Sequence, residues 1–534
     1  MKKGYIFYPL FLGIFFAIGM WLGNVVGGDG LGAEYIATTS SLKKRKLNRL
    51  IDLIDERYVD KVNTDSIVDV TVNEIMQNLD PHSVYIPSDE AEDIANSMRG
   101  DFVGIGIRFF VNEDSISVLR AIENGPSDRA GIKGGDKILY VDGKPLYGEN
   151  KVSTDVLKGE KGSKVILGVL RPGDDEVINI PVIRGDVSLK SIDAAYMLAE
   201  DLGYIKINRF SETTEKEFLT AVNRLKRKGA RRLALDLRDN PGGVLSAAVR
   251  IADEFLKENQ LILFQKDRNN KRKDSYATDE GSYEDKEVYI LINENSASAS
   301  EVIAGALQDN DRGVILGRRS FGKGLVQQEI KLGDGSSVRL TIARYYTPTG
   351  RSIQRPYDDG NEAYFKEYID RYQNGELENA DNIEVNDSLK RVTPGGKIVY
   401  GGGGIIPDIF VPSPEGYVLQ TLDYFGRTGF ADQFVNRYLQ GEGQYIRDID
   451  KQTFLNDYQV PESLMREFIN YAQLYNTSIK LPGYRDEIGL IIKSSMAEQL
   501  FSTQLKIMLL NEQDRMIEKL LELDKKAQQE DTRS

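Results

Sequence analysis

The 534-residue chain has no cysteine, one histidine and one tryptophan. Without cysteine there is no disulfide, no thiolate zinc site, no thiol nucleophile and no lipidated N-terminal cysteine. A single imidazole, His82, rules out a histidine-rich metal centre and gives a Ser-His-Asp triad only one candidate base. No EF-hand loop or clustered ligand spacing appears, so no metal and no cofactor is expected. Proline is sparse at 16, and 40% hydrophobic with 28% charged residues is the mix of a folded chain, which argues against wholesale disorder. A concentrated basic face is also missing from a chain of net charge −13, and this speaks against nucleic acid as a partner.

What is present first is an uncharged apolar run from Tyr5 to Val26 behind Lys2 and Lys3. It is long enough to span a bilayer, and its basic flank belongs on the cytoplasmic side, so an N-terminal transmembrane anchor over 1–30 is expected with the rest outside the inner membrane of a cell envelope. The rival reading is a cleaved signal peptide cut near Leu31-Gly32-Ala33. A length of 534 residues implies several folding units. Residues 35–98 have helical periodicity that breaks at Asp80-Pro81, making 79–87 a loop. Residues 99–185 hold short β runs punctuated by glycine, as in a small partly open barrel. Residues 186–412 alternate strands and helices, which implies an α/β core around a largely parallel sheet. Residues 413–534 are helical and charged, with an amphipathic stretch from Met496 to Leu523 that either packs on its own core or supports an oligomer or adaptor. The segment from Pro356 to Thr393, rich in Asp, Glu, Asn and Tyr, reads as a surface insertion.

Three segments carry chemistry. Ser296-Ala-Ser298-Ala-Ser300-Glu301 joins an apolar strand to an apolar-periodic helix, where a hydroxyl is exposed and helix N–H groups favour developing negative charge. The same residues satisfy a capping box, a purely structural reading. Phe321-Gly322-Lys323-Gly324 places a lysine between glycines that permit close backbone approach. Burial makes such a lysine neutral and able to act as a general base. Asp236-Leu-Arg-Asp-Asn240-Pro-Gly242-Gly243 runs from a strand into a glycine turn whose N–H groups, with that of Ala299, suit an oxyanion. Simple turn chemistry accounts for it equally well.

SASASE, then FGKG with Gln327 four residues after the lysine, and DLRDNPGG before both, resemble the C-terminal processing (tail-specific) serine proteases. The resemblance extends to Gly404-Ile-Ile-Pro407-Asp408 and covers about residues 40–412. It implies a multidomain α/β protein with a crotonase-like protease core, a Ser298 nucleophile, a Lys323 base and an assisting Gln327. Oxyanion donors are expected at Gly242, Gly243 and Ala299. His82, in the LDPHSxYI loop, is given a structural role, in keeping with the family's use of that loop. The stretch around Gly104-Ile105-Gly106-Ile107 and Pro126-Ser-Asp-Arg-Ala-Gly131 is similar to PDZ domains, which add a peptide as a strand and hold its terminal carboxylate. The expected activity is endoproteolysis near the free C-termini of exported proteins. A non-catalytic PDZ scaffold and an acyl-CoA enzyme on the crotonase-like core are the rival readings.

Overall fold

The computed structural model describes residues 45–111, 115–146, 154–475, 481 and 483–531. The expected anchor over 1–30 lies outside the described residues. No helix among the described residues is long and apolar enough to cross a membrane. The chain forms two units, 1–78 and 79–534. The first, where described, is helical over residues 45–57 and Thr64–Gln77, the second helix being capped by the Asn63 side chain.

The second unit contains a six-stranded sheet whose strands lie side by side in chain order: β1 (Ile192–Met197), β2 (Leu202–Ile207), β3 (Arg232–Asp236), β4 (Val288–Ile292), β5 (Val314–Gly317) and β6 (Ile409–Phe410). Only β1 runs antiparallel to its neighbour. Parallel strands in sequential order, linked by crossovers of one hand, put all their helices on one face. Here these are α1 (Thr214–Arg227), α2 (Leu245–Asp253) and α3 (Ala299–Asp309). Strands buried on both faces must be apolar at every position, and β4, Val-Tyr-Ile-Leu-Ile, is buried throughout. Leu233, Leu235, Ile290 and Ile292 pack toward the helices. Ala234, Tyr289, Leu291 and Leu316 face the other way and meet Met516, Ile517 and Leu520. The tail therefore spends its apolar side on its own core. Its amphipathic stretch is broken, contrary to a continuous Met496–Leu523 element, because Ser502 caps α4 (Thr503–Asn511) and the Asp514 carboxylate accepts from the Met516 and Ile517 N–H groups at the start of α5 (Arg515–Asp531).

A second, five-stranded sheet was not anticipated. Ser337–Tyr346 is its centre, paired with Leu325–Lys331 and Leu261–Asp267, with Arg272–Tyr276 outside the latter. Residues 84–86, expected as loop, add to it as a strand against Ser337–Arg339. Between the paired segments Asp101–Gly104 and Gly185–Ser188 lies the β-rich domain. Its antiparallel strands run in the order Ile107–Val111, Ile116–Ala121, Lys137–Val141, Lys164–Leu170 and Val177–Ile183 around a core that includes Ile105, Val118, Ile138 and Val169. The tail grips this domain as well: Arg447 donates to the Gly134 carbonyl at 2.9 Å, Gln440 to the Ser117 hydroxyl at 2.8 Å, and Glu498 pairs with Arg108.

Candidate active site

Three turns converge at the C-terminal edge of β3 and β4. The turn after β3 is built on Asn240, whose Nδ2 donates to the Ile207 carbonyl at 2.9 Å while its Oδ1 accepts the Gly242 N–H at 2.8 Å. The Asn240 carbonyl accepts the Ala297 N–H and the Ser300 hydroxyl, both at 3.0 Å, so the serine turn docks directly on the glycine turn. Gly242 has φ +97°, and a Cβ there would lie 2.7 Å from the Ala297 oxygen and 2.8 Å from Ser298 Cβ. Only glycine fits.

The three serines of the second turn have separate fates. Ser296 is buried and donates to the Leu237 carbonyl at 2.8 Å. Ser300 is buried on Asn240. Ser298 is half-exposed at φ 54°, ψ −111°, an uncommon conformation for a side chain other than glycine. It caps α3 in a capping box with Glu301, so the structural reading of SASASE holds together with any chemical one.

The third turn carries Lys323. Its Nζ donates to Gln327 Oε1 at 2.9 Å, and the Gln327 amide donates in turn to the His82 carbonyl. Burial, aided by the nearby Arg339 cation, pulls the Lys323 pKa down to about 8. Among the described residues no hydrogen bond joins Lys323 Nζ to the Ser298 hydroxyl. The two turns are nevertheless tied backbone to backbone by two side chains. The buried Glu301 carboxylate accepts the N–H groups of Ser298 at 2.8 Å, Lys323 at 2.9 Å and Gly322 at 2.7 Å, with the Ser320 hydroxyl at 2.5 Å. The Tyr345 hydroxyl lies 3.1 Å from the Ser298 carbonyl and 2.9 Å from that of Lys323. Sequence reasoning gave Glu301 only its capping role, and its second partner is 22 residues further on. Tyr345, on an unanticipated strand, carried no signal at all.

Of the expected oxyanion donors, Gly242 is corrected, since its N–H is taken by Asn240. The bridge between Phe210 and Gly243 uses the Gly242 carbonyl and the Val244 N–H, so the N–H of Gly243 itself points away from Phe210. Ala299 opens α3, where an N–H has no intrahelical acceptor. Far from these turns, Gly104, Ile105, Gly106 and Ile107 are buried at the rim of the β-rich domain. The Ile105 and Gly106 carbonyls there accept the Ser127 and Ile122 N–H groups. Among the described residues no cluster of acidic or histidine side chains is placed to hold a metal.

Residues 201–359 match peptidase family S41 and residues 103–182 match the PDZ domain. The chain is 34% identical over 347 residues to a carboxy-terminal-processing protease of Bartonella bacilliformis, covering 62% of this chain and 79% of that protein. It is 32% identical over 333 residues to the carboxy-terminal processing protease CtpA of Bacillus subtilis, covering 62% of this chain and 71% of that protein. A solved photosystem II D1 C-terminal processing protease aligns at 29% identity over 56% of this chain and 83% of its own, with a TM-score of 0.33.

Proposed function

Because the chain belongs to peptidase family S41, as a serine peptidase of the carboxy-terminal processing type, we propose that Ser298 is its nucleophile, Lys323 its general base and Gln327 the residue that orients the base. The observation that carries the assignment is the division of labour among the three serines. Ser296 and Ser300 give their hydroxyl protons to buried carbonyls, whereas Ser298 is half-exposed, strained and roped to the turn of a desolvated lysine. A non-catalytic scaffold or an acyl-CoA enzyme has no use for that pairing.

Neutral Lys323 swings from Gln327 to take the Ser298 proton as Oγ attacks a peptide carbonyl. The N–H groups of Ala299 and Gly243 receive the oxyanion, and Gly242 supplies the space beside Oγ. The leaving amine takes the proton from Lys323, and water then releases the acyl group. No cofactor takes part.

Residues 107–111 form an edge strand of the PDZ domain, open to an added peptide strand, and the Gly104–Ile107 corner turns its carbonyls inward. This supports recognition of a free substrate C-terminus there. The apolar run at residues 5–26 supports anchoring in the inner membrane with the catalytic domains in the extracytoplasmic space. The division we propose is an anchor over 1–30, a helical lead-in over 35–98, a PDZ domain over 99–185, a protease core over 186–412 and a helical extension over 413–534.

The test is cleavage of a denatured protein with an apolar C-terminus by the wild-type chain and by folded Ser298→Ala and Lys323→Ala variants. Equal cleavage by all three overturns the dyad. Equal rates on free and amidated C-termini remove the PDZ reading while leaving the protease.

A further inference from the structure

The segment that reads as a surface insertion is mostly exposed, but a few of its side chains are buried beside the turn that carries the base. Asn361–Asp370 is a helix, and Tyr364 and Arg371 are each no more than 2% exposed. Arg371 donates to the Ser320 carbonyl at 2.8 Å, gripping the strand end that leads into Phe321-Gly322-Lys323. Arg355 donates its N–H to the Gly322 carbonyl at 3.1 Å and lays its guanidinium over the rings of Phe321, at 4.4 Å, and Tyr364, at 4.0 Å. The Glu367 carboxylate gathers Arg319 and Arg371, each at 3.1 Å, together with Arg355. Three buried guanidiniums are thus held by the insertion's own acid.

The same helix reaches the base by a second route. Tyr364 sets its hydroxyl 2.8 Å from His82 Nε2, and the two rings meet edge to face at 5.3 Å. Phe321 completes the cluster, 6.1 Å from the imidazole and 6.3 Å from the Tyr364 ring. Asp80 fixes the backbone around the imidazole by accepting the His82 and Ser83 N–H groups, both at 2.8 Å. His82 is thus pinned at both ends, its ring by Tyr364 and its peptide by Asp80, and the carbonyl of that peptide takes the Gln327 amide N–H. With its nitrogen so engaged, Gln327 has only its oxygen to offer Lys323 Nζ.

We infer that the insertion is a positioning element for the base: Tyr364 fixes His82, the His82 carbonyl fixes the Gln327 amide, and Gln327 in turn aims Lys323. The inference rests on the Ser298–Lys323 reading and adds to it a task for the chain's only imidazole and for a segment with none. Burial and the Lys323 cation hold His82 well below its ordinary range, at about 3, so the imidazole stays neutral while it does this.

The experiment is a double-mutant cycle on the full chain. Tyr364→Phe keeps the ring and deletes the hydroxyl, and His82→Phe removes the same hydrogen bond from the other side while leaving the carbonyl. Each is expected to lower kcat about tenfold with KM unchanged, the loss of one oriented hydrogen bond near the reacting centre. In a Gln327→Ala background the same substitutions are expected to cost nothing further. Equal losses in both backgrounds overturn the inference, because a merely structural role is indifferent to Gln327. A second readout needs no protease activity: the pH dependence of Lys323 labelling by trinitrobenzenesulfonate, followed by mass spectrometry. Its midpoint should start near 8 and rise in Tyr364→Phe as water reaches Nζ. An unmoved midpoint overturns the inference even if Ser298→Ala cleaves as well as wild type and the dyad itself has failed.

Discussion

Glu301 is the side chain whose replacement tests the site most sharply, because its two oxygens have unequal company. One oxygen accepts the N–H groups of Ser298 and Lys323, and the other accepts from Gly322 N–H and the Ser320 hydroxyl. Glu301→Gln must put its new NH2 on one of these sites. Beside Ser298 and Lys323 it would face two backbone donors that cannot turn, whereas beside Ser320, whose oxygen already accepts the Ile405 N–H at 2.7 Å, it meets a hydroxyl that can turn and accept, leaving the Gly322 N–H and the displaced hydroxyl proton without that acceptor. The amide therefore keeps its oxygen on the two catalytic turns. The expected cost is two buried donors without that acceptor, half of what Glu301→Ala removes and about 1–3 kcal/mol for each, with kcat within about tenfold of wild type. Glu301→Ala strips all four donors and uncouples the turns. It should cost about 4 kcal/mol or more and lower kcat by about a thousandfold. Urea midpoints at constant m-value give the first quantity, and cleavage of an unfolded substrate normalised to folded protein gives the second. A Glu301→Gln chain as impaired as Glu301→Ala would refute the geometric argument, since charge alone would then be what the turns require.

Activity should rise with pH through about 8, because Lys323 is a base only when neutral, and Arg339→Gln should move that limb upward by removing a cation that disfavours the ammonium form; a limb that stays in place rules out Lys323 as the titrating group. Gly242→Ala places a Cβ 2.7 Å from a carbonyl oxygen at φ +97°, so a chain with an unchanged circular dichroism spectrum and kcat reduced at least about a hundredfold is expected. Truncation before Arg515 uncovers Ala234, Tyr289, Leu291 and Leu316 on the sheet and should convert a monodisperse protein to aggregates on size exclusion, a result that a soluble, active truncation would contradict.

The parallel core was legible because its strands are buried on both faces. Leu233–Leu235 and Val288–Ile292 are apolar runs that no surface element would tolerate, and the helices between them keep a clear 3.6-residue period. The antiparallel sheet was not legible. Ser337–Ile342 alternates polar and apolar residues as a half-buried strand does, but nothing local names its partners, which lie as far away as residues 84–86 and 261–267. That the turns of Ser298 and Lys323 meet was foreshadowed by motifs, because glycine and small hydroxyl residues mark where a backbone must approach closely. Gly242 was misread as a donor. Glycine announces space and unusual φ, but whether its N–H is free depends on a neighbour, here the Asn240 side chain. Tyr364 gave no signal because an aromatic residue in a charged segment is ordinary surface until a partner such as His82 is brought to it.

Two of the facing turns contain a side-chain-bearing residue at positive φ, Asp239 at 60° and Ser298 at 54°. Conformations of this kind cost about 1–3 kcal/mol each and persist only where neighbours over-determine them. For Ser298 the neighbours are Glu301 and Tyr345. For Asp239 they are Asn293 at 2.9 Å, Asn295 at 2.8 Å and Arg427 at 3.0 Å, while the adjacent Arg238 is taken by Asp514 at 2.6 Å. Arg427 and Asp514 belong to the extension, beyond the 201–359 stretch that matches the peptidase family. A fragment ending at residue 412 would keep every catalytic motif and lose both of these partners. The glycine turn proposed to receive the oxyanion would then be held by Asn293 and Asn295 alone. The extension is therefore part of the active site's support, and catalytic competence should be as sensitive to its docking as to the motifs themselves.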